Sequence, residues 1–305
     1  MDWTASDIPD LDGKVAVVTG ANGGIGYEIA LALAAQRAQV IMACRDQAKA
    51  DNARQAILAH YPAARLSIVP LDLSRQASVR TAAAAIRANQ PRIDLLINNA
   101  GVMWLPEGRT EDGFETQTGT NHLGHFTLTN LLLPAMKAVD GSRIITVSSL
   151  GHLLYGLYLD NFTLEGIYNK QRAYSQSKIA NLSFALELDR RLKASGARTI
   201  SLASHPGGTN SELATDFARN STLGLGYIIR GLWPMLTQST AAGALPTLYA
   251  ATAPGLAGGE YLGPRHGLVG APARAHVRPL AASAETGRRL WELSERLTGT
   301  SFPGA

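Results

Sequence analysis

The sequence has a single cysteine, Cys44, among its 305 residues, so neither an intrachain disulfide nor a cysteine cluster for zinc or iron–sulfur is possible. A chain without disulfides is typical of a reducing compartment, and we predict a cytoplasmic protein. Aromatic residues make up only 6% of the chain. Alanine and glycine are abundant instead, which favours helices packed closely on a sheet.

Long apolar runs and strong charge are also lacking. No stretch reaches the roughly 18 apolar residues of a transmembrane helix, so we expect no membrane span. The net charge is only +4 and no run of lysine or arginine stands out, so we expect no nucleic-acid partner. The length and the hydrophobic share of 46% fit one large domain with a substantial core.

In the first half, short β-branched runs alternate with longer Ala/Leu-rich stretches. This alternation predicts a parallel sheet covered by helices: an α/β, Rossmann-type doubly wound sheet that forms a single domain over residues 1–305. The predicted strands are Val15–Thr19, Val40–Ala43, Leu66–Pro70, Leu95–Asn98, Arg143–Ser148 and Thr199–Ala203. The predicted helices are Gly24–Gln36, Gln47–His60, Arg75–Asn89, Gly113–Lys137 and Ala173–Lys193.

The pattern loosens after Ser204. Glycine, asparagine, serine and apolar residues mix over 208–235, and we predict a lid that covers the substrate there. A helix near Gln238–Ala251, a strand near Tyr261–Leu262, an irregular Pro/Gly-rich stretch over 263–279 and a last helix at Ala284–Leu297 complete the prediction.

A glycine-rich turn follows the first predicted strand, with glycines at 20, 24 and 26 before a helix. Glycine lets the backbone approach a pyrophosphate, and the helix N-terminus offers free N–H groups. Because the turn lies at the first strand–helix junction, it predicts a dinucleotide site. The predicted contacts are Gly20, Asn22, Gly24, Ile25 and Gly26.

The end of the second strand indicates which dinucleotide binds. NAD-preferring enzymes usually carry a carboxylate there for the ribose 2′-OH, whereas this chain has Cys44 followed by Arg45. A guanidinium suits a 2′-phosphate, so we predict NADP(H) in preference to NAD(H). The alternative is a solvated Arg45, with Asp46 capping the next helix or facing the ribose.

Polar and small residues follow the next two strands. Asp72 can accept a hydrogen bond from the adenine amino group, with Leu73 beside it. Asn99, Ala100 and Gly101 lie where the chain passes the cofactor. Taken singly, Asp72 could merely cap a helix and the asparagine pair could merely form a turn, but together at successive strand ends they favour a cofactor site.

Tyr174 and Lys178 lie one turn apart on the same face of a predicted helix. Carbonyl reduction needs a hydride on carbon and a proton on oxygen, and Tyr174 can donate that proton. An unperturbed phenol has a pKa near 10, and the Lys178 ammonium can lower it by favouring the phenolate. Ser149, at the end of the fifth strand, can hold the substrate oxygen against Tyr174.

Together these motifs resemble the short-chain dehydrogenase/reductase superfamily. They comprise Thr19–Gly26, Asn98–Gly101, Asn121, Ser148-Ser149, Tyr174-x-x-x-Lys178 and Pro206-Gly207. Longer runs, such as Ala43–Asp46 and Asn121–Phe126, resemble the retinol-dehydrogenase and WW-domain-oxidoreductase-like branch. The resemblance implies that the second serine, Ser149, is catalytic, that Lys178 and Tyr174 contact the cofactor, and that Asn121 supports a water linking Lys178 to solvent. It also implies nicotinamide contacts at Pro206, Gly207 and Ser211.

The substrate and assembly are less constrained. Trp104, the insertion 150–162 and the predicted lid are apolar, which predicts a small hydrophobic alcohol or carbonyl substrate. The long helices at 113–137 and 173–193 could pair in a homo-oligomer, a dimer or a tetramer. The histidines fit no metal motif, so we predict no metal. An idle NADP(H)-binding sensor and a nucleotide-binding methyltransferase are the alternatives, but an idle relative would often lack Tyr174 or Lys178, and a methyltransferase would not explain them.

Overall fold

A computed structural model of the chain describes residues 2–209 and 237–303. Its strands form one sheet in the order β3-β2-β1-β4-β5-β6-β7-β8, parallel except for the antiparallel pair β7 and β8. The doubly wound fold predicted from the sequence is confirmed. The strands are β1 Val15–Thr19, β2 Gln39–Cys44, β3 Arg65–Pro70, β4 Leu95–Asn98, β5 Arg143–Val147, β6 Ile200–Ser204, β7 Tyr261–Pro264 and β8 Pro272–Arg274.

Helices cover both faces of the sheet. They are α1 Gly24–Ala35, α2 Gln47–His60, α3 Gln76–Asn89, α4 Thr116–Thr118, α5 Gly124–Leu132, α6 Lys170–Ala194, α7 Thr240–Thr252, α8 Pro279–Ala282 and α9 Ala284–Thr298. Strand side chains alternate between two cores because successive residues point to opposite faces. Ala16 and Val18 pack with α1, α2 and α7, whereas Val15 and Val17 pack with α3, α5, α6 and α9.

Two predicted elements need correction. The predicted helix Gly113–Lys137 is divided into α4, a π-helical turn at Gly119–Leu123, α5 and a 3₁₀ turn at Leu133–Ala135. A π turn forms i→i+5 hydrogen bonds, which side-chain periodicity does not reveal. The stretch 263–279 is not wholly irregular, since β8 lies within it as an edge strand, where proline is tolerated.

The C-terminal helix α9 packs on the two long helices for which we predicted subunit pairing. Trp291 of α9 is 1% exposed, and its ring centroid lies 4.9 Å from that of Phe126 in α5 and 5.7 Å from that of Phe184 in α6. The chain's own C-terminus therefore covers this part of the α5–α6 surface. Within residues 2–209 and 237–303, none of the helices has the length and apolar character needed to cross a membrane.

Candidate active site

The glycine loop brings the backbone of β1, α1 and β4 unusually close together. A Cβ atom on Gly26 would lie 2.2 Å from the Gly20 carbonyl oxygen and 2.6 Å from Asn99 Nδ2, so only glycine fits there. Gly24 has a φ of +53° and open space around it. α1 begins after Gly23 without a side-chain cap, so no capping side chain accepts from its first-turn N–H groups. This cradle fits the pyrophosphate of a dinucleotide.

Thr19, at the end of β1, organises the neighbouring loop. Its hydroxyl oxygen accepts hydrogen bonds from the backbone N–H groups of Asn99 and Ala100, each at 2.9 Å. The Asn99 side chain donates to the Thr19 carbonyl at 3.0 Å. These bonds fix the loop, and they engage the Asn99 side chain and both backbone N–H groups with Thr19.

At the end of β2, neighbouring side chains have separate tasks. Cys44 is buried, and burial raises the pKa of its thiol to about 11, while hydrogen bonds from the Ala21 and Asn22 backbone lower it. The Asp46 carboxylate caps α2 by accepting from Lys49 N at 3.0 Å. Arg45 is exposed. The helix-capping alternative for Asp46 is therefore observed, and Arg45 is free to reach a ligand at this edge.

Asp72 follows β3 and also shapes a turn. Its Oδ1 atom accepts from the backbone N–H and the hydroxyl of Ser74, at 3.0 and 2.7 Å. These bonds leave Oδ2 for an adenine amino group. Leu73 is buried against Gly124, where an added Cβ would lie 2.4 Å from the Leu73 carbonyl oxygen.

Helix α6 carries Tyr174 and Lys178 to the carboxyl edge of the sheet. Lys178 is only 5% exposed, and its Nζ donates to the carbonyl of Val147, at the end of β5, at 3.2 Å. The same Nζ lies 5.8 Å from the centre of the Tyr174 ring. Burial lowers the pKa of the Lys178 ammonium to about 8, because a charged group loses hydration in the interior.

Ser149 and Tyr174 face each other across a glycine. A Cβ on Gly151 would lie 2.8 Å from Tyr174 Cε1 and 3.5 Å from Ser149 Oγ, so glycine gives the ring its space. Burial raises the pKa of Tyr174, and a hydrogen bond with Ser149 lowers it. The lowering of the Tyr174 pKa by Lys178 that the sequence led us to expect is therefore not observed in the chain alone, where burial dominates. Gly151 was missed by the sequence analysis, although a glycine two residues after the serine was visible.

Ser148 has a different task from Ser149. Its hydroxyl donates to the Lys178 carbonyl at 2.8 Å and is buried, so it joins β5 to α6. Ser149 lies two residues beyond the end of β5 with its hydroxyl near Tyr174, and its Oγ accepts from Gly151 N at 3.1 Å. The Ser149 carbonyl lies 2.6 Å from His152 Nδ1, and this contact fixes the turn that follows Ser149. The structure thus brings Ser149 to Tyr174, whereas Ser148 is bound to the Lys178 carbonyl.

Asn121 lies in the π turn and is fully buried. Its Oδ1 accepts from Val102 N at 2.7 Å, and its Nδ2 donates to Val102 O and to Ser177 Oγ, each at 2.9 Å. A Cβ on Gly101 would lie 3.1 Å from Asn121 Oδ1 and 3.5 Å from Lys178 Nζ. The segment 101–102, Asn121 and Lys178 therefore meet at one place.

Pro206 and Gly207 follow β6 at the same edge. Gly207 has a φ of +69°, and a Cβ there would lie 2.2 Å from the Leu268 carbonyl oxygen. The Pro206 carbonyl accepts from Gln238 Nε2 at 2.9 Å. Ser211 and positions 210–235 of the predicted lid lie outside the described residues.

Four of the seven histidines, His122, His125, His152 and His205, are buried and form separate contacts. His122 Nε2 lies 2.9 Å from Ser294 Oγ, His125 bonds to Thr19 and Asn121, His152 bonds to Ser149, and His205 Nδ1 accepts from Gly207 N at 3.2 Å. Among the residues that the structure describes, no group of three potential ligands could hold a metal ion.

The chain is similar to known proteins over nearly its whole length. Residues 14–222 match the family model described as short chain dehydrogenase. Retinol dehydrogenase 13 of Homo sapiens is 42% identical over 300 residues, which are 96% of this chain and 87% of that protein. Retinol dehydrogenase 11 of Mus musculus is 41% identical over 292 residues, 95% of this chain and 87% of the relative.

Among solved structures, that of an uncharacterized protein from Mycobacterium Paratuberculosis superposes with a TM-score of 0.83 at 40% identity, over 99% of this chain and all of the other. The Pseudomonas aeruginosa RhlG/NADP active-site complex shares the fold with a TM-score of 0.66 at 24% identity, over 83% and 95% of the two chains. Because the family model matches and the relatives are about 40% identical over nearly the whole chain, the protein belongs to the short-chain dehydrogenase/reductase family of oxidoreductases, in its retinol dehydrogenase-like branch.

Proposed function

We propose that this protein transfers a hydride between NADP(H) and a small hydrophobic alcohol or carbonyl compound, with Tyr174 as general acid/base. One observation carries the proposal: Tyr174, Ser149 and Lys178 converge at the edge of the sheet where the glycine loop ends. The Gly151 position touches both Tyr174 and Ser149, and the Gly101 position touches Lys178 from the cofactor side.

In this proposal the protein residues handle the proton and the placement. When bound, the nicotinamide supplies the hydride in reduction and accepts it in oxidation. Ser149 and Tyr174 hold the substrate oxygen between their hydroxyls, and Tyr174 Oη donates its proton to that oxygen in reduction and removes it in oxidation. Lys178 lies close enough for its positive charge to favour the phenolate at this step.

The choice of NADP(H) depends on the edge of β2. Asp46 is engaged in capping α2, and Arg45 is exposed beside it, so the available side chain at this position is cationic. A guanidinium binds a 2′-phosphate with paired N–H donors, whereas it gains little from a 2′-hydroxyl.

The proposed substrate class follows from apolar side chains beside the catalytic serine. Leu153 and Leu154 follow Ser149 by four and five residues and are 50% and 61% exposed. The backbone N–H of Trp104, beyond the cofactor loop, donates to Gln117 Oε1 at 2.8 Å, which holds this segment against α4. The similar human and mouse proteins are named retinol dehydrogenases, which is consistent with a hydrophobic alcohol as substrate.

The test is a panel of lipophilic alcohols, aldehydes and ketones assayed with NADP(H) and NAD(H). Tyr174→Phe should reduce turnover at least about a hundredfold while NADPH binding, measured by fluorescence, survives. Tyr61→Phe, on the surface after α2, is the matched control and should retain full activity. Undiminished turnover in Tyr174→Phe would refute the mechanism, and tight NADPH binding with no turnover in the parent protein would favour the sensor alternative.

A further inference from the structure

A buried hydrogen-bond chain joins the end of β1 to the π turn, and His125 stands in its middle. His125 Nε2 lies 2.9 Å from Thr19 Oγ1, and His125 Nδ1 lies 2.9 Å from the Asn121 carbonyl oxygen. His125 is 1% exposed and Thr19 is 0% exposed. The proposed chemistry does not use this histidine directly, yet its two contacts reach both sides of the site.

The partners of His125 assign its protons. The Asn121 carbonyl can only accept, so Nδ1 carries the hydrogen. Burial lowers the pKa of His125 to about 4, and the charge of Lys178 adds to the effect, so the ring is neutral at pH 7. Nε2 is then an acceptor, and the Thr19 hydroxyl donates to it.

On the β1 side, the chain continues into the cofactor loop. Thr19 Oγ1 accepts from the N–H groups of Asn99 and Ala100, each at 2.9 Å, while it gives its own proton to His125. The Ile97 carbonyl lies 3.3 Å from the same Oγ1, but the shorter contact at 2.9 Å to an Nε2 that can only accept directs the hydroxyl to His125. Its orientation is set by His125, and it sets in turn the position of the backbone that passes beside the glycine loop.

On the other side, the chain continues into helix α6. Asn121 donates from Nδ2 to Ser177 Oγ at 2.9 Å, and Ser177 Oγ donates to the Tyr174 carbonyl at 2.8 Å. The connection from Thr19 to the backbone of the catalytic tyrosine is therefore continuous through His125, Asn121 and Ser177.

We propose that His125 is a positioning residue that ties the cofactor-side loop 99–102 to the Asn121 turn and, through it, to Tyr174. The inference rests on the proposed function, because a fixed distance between the two sides matters where a hydride and a proton move together.

The neighbouring turn of α5 shows why histidine is needed for this link. Asn130 Nδ2 donates to the Phe126 carbonyl at 2.9 Å, which is the same contact to the residue four positions earlier that His125 makes. A short amide thus suffices for the bond within the helix. Only the imidazole offers a second nitrogen on the opposite side of the ring, and that nitrogen reaches β1.

The test uses His125→Asn, which keeps the bond to the Asn121 carbonyl and loses the one to Thr19. We expect kcat to fall about tenfold or more, with the KM of the alcohol or carbonyl and the Kd of NADPH within about threefold of the parent. His60→Asn, exposed at the end of α2, is the control for a histidine substitution as such.

Hydrogen exchange by mass spectrometry provides a readout independent of turnover. In His125→Asn, peptides containing 99–102 and 119–123 should exchange faster, whereas peptides of α2 should not change. If His125→Asn lowers Tm but leaves kcat per folded molecule unchanged, His125 is only a packing residue and the proposal is overturned. Unchanged hydrogen exchange in the two peptides would overturn it as well. If the parent protein turns over no substrate with either cofactor, the proposed function fails instead, and the exchange experiment still decides whether His125 makes the link.

Discussion

Lys178→Met is expected to stabilise the cofactor-free protein while it abolishes turnover. Lys178 is 5% exposed, and burial lowers the pKa of its ammonium from 10.5 to about 8. At about 1.4 kcal/mol for each pKa unit, a charged Lys178 at pH 7 lowers the free energy of unfolding by about 3 kcal/mol. Methionine has a similar length and carries no such penalty.

The predicted gain has a characteristic pH dependence. Between pH 8 and pH 10.5, the unfolded chain holds the Lys178 proton and the folded chain has released it, so the stability of the parent protein rises with pH. The advantage of the methionine variant, up to about 3 kcal/mol at pH 7, should therefore shrink towards zero near pH 10.5. The Val147 carbonyl keeps a donor in the variant, because Asn181 Nδ2 lies 3.3 Å from it.

The assay is urea unfolding of the parent and the variant at pH 7 and pH 10, analysed by linear extrapolation. Comparison of the two proteins at each pH cancels the titration of all other groups. Lys170→Met, exposed at the first position of α6, is the control and should change stability little at either pH. A variant less stable than the parent at pH 7, or a gain that does not depend on pH, would refute the assignment of a desolvated ammonium.

Two further predictions concern the cofactor side. Gly26→Ala should weaken NADPH binding at least about tenfold, because its Cβ would lie 2.2 Å from the Gly20 carbonyl oxygen. Gly23→Ala is the control, since its Cβ meets nothing within 4 Å, and it should bind NADPH as the parent does. Equal affinities of the two variants, measured by isothermal titration, would contradict a pyrophosphate site at this loop. Arg45→Ala should raise the Kd of NADPH about tenfold and leave the Kd of NADH within about twofold. Arg87, exposed in the last turn of α3, is the control, and Arg87→Ala should change neither Kd. An equal loss of affinity for both cofactors in Arg45→Ala would argue against a 2′-phosphate contact.

Local features of the chain were predictable because they depend on neighbours in sequence. The alternation of apolar residues indicated the strands from β1 to β6 to within a residue or two. The spacing of Tyr174 and Lys178 placed them on one helix face. The helix 113–137 was predicted as continuous because its apolar pattern does not change at the π turn, where only the backbone hydrogen bonds shift.

Other features depended on contacts between distant parts of the chain. The sequence around Ser148 and Ser149 does not show which serine is catalytic, and only the family resemblance favoured Ser149. In the structure, Ser148 is bound to the Lys178 carbonyl. The sequence predicts a cofactor contact at Asn99, whereas in the structure its side chain donates a hydrogen bond to the Thr19 carbonyl. These partners lie 30 and 80 residues apart, so no local pattern pairs them.

The sequence by itself determined the glycine turn, the strand–helix alternation and the helical pair Tyr174 and Lys178, since each follows from backbone geometry over a few residues. Only the tertiary structure decided that Gly26 lies against Gly20, that His125 joins β1 to the π turn that carries Asn121, and that α9 covers α5 and α6. The physical reason is that the order of the strands in the sheet brings the carboxyl ends of β1, β4 and β5 side by side, and the hydrogen bonds of the site form between those ends.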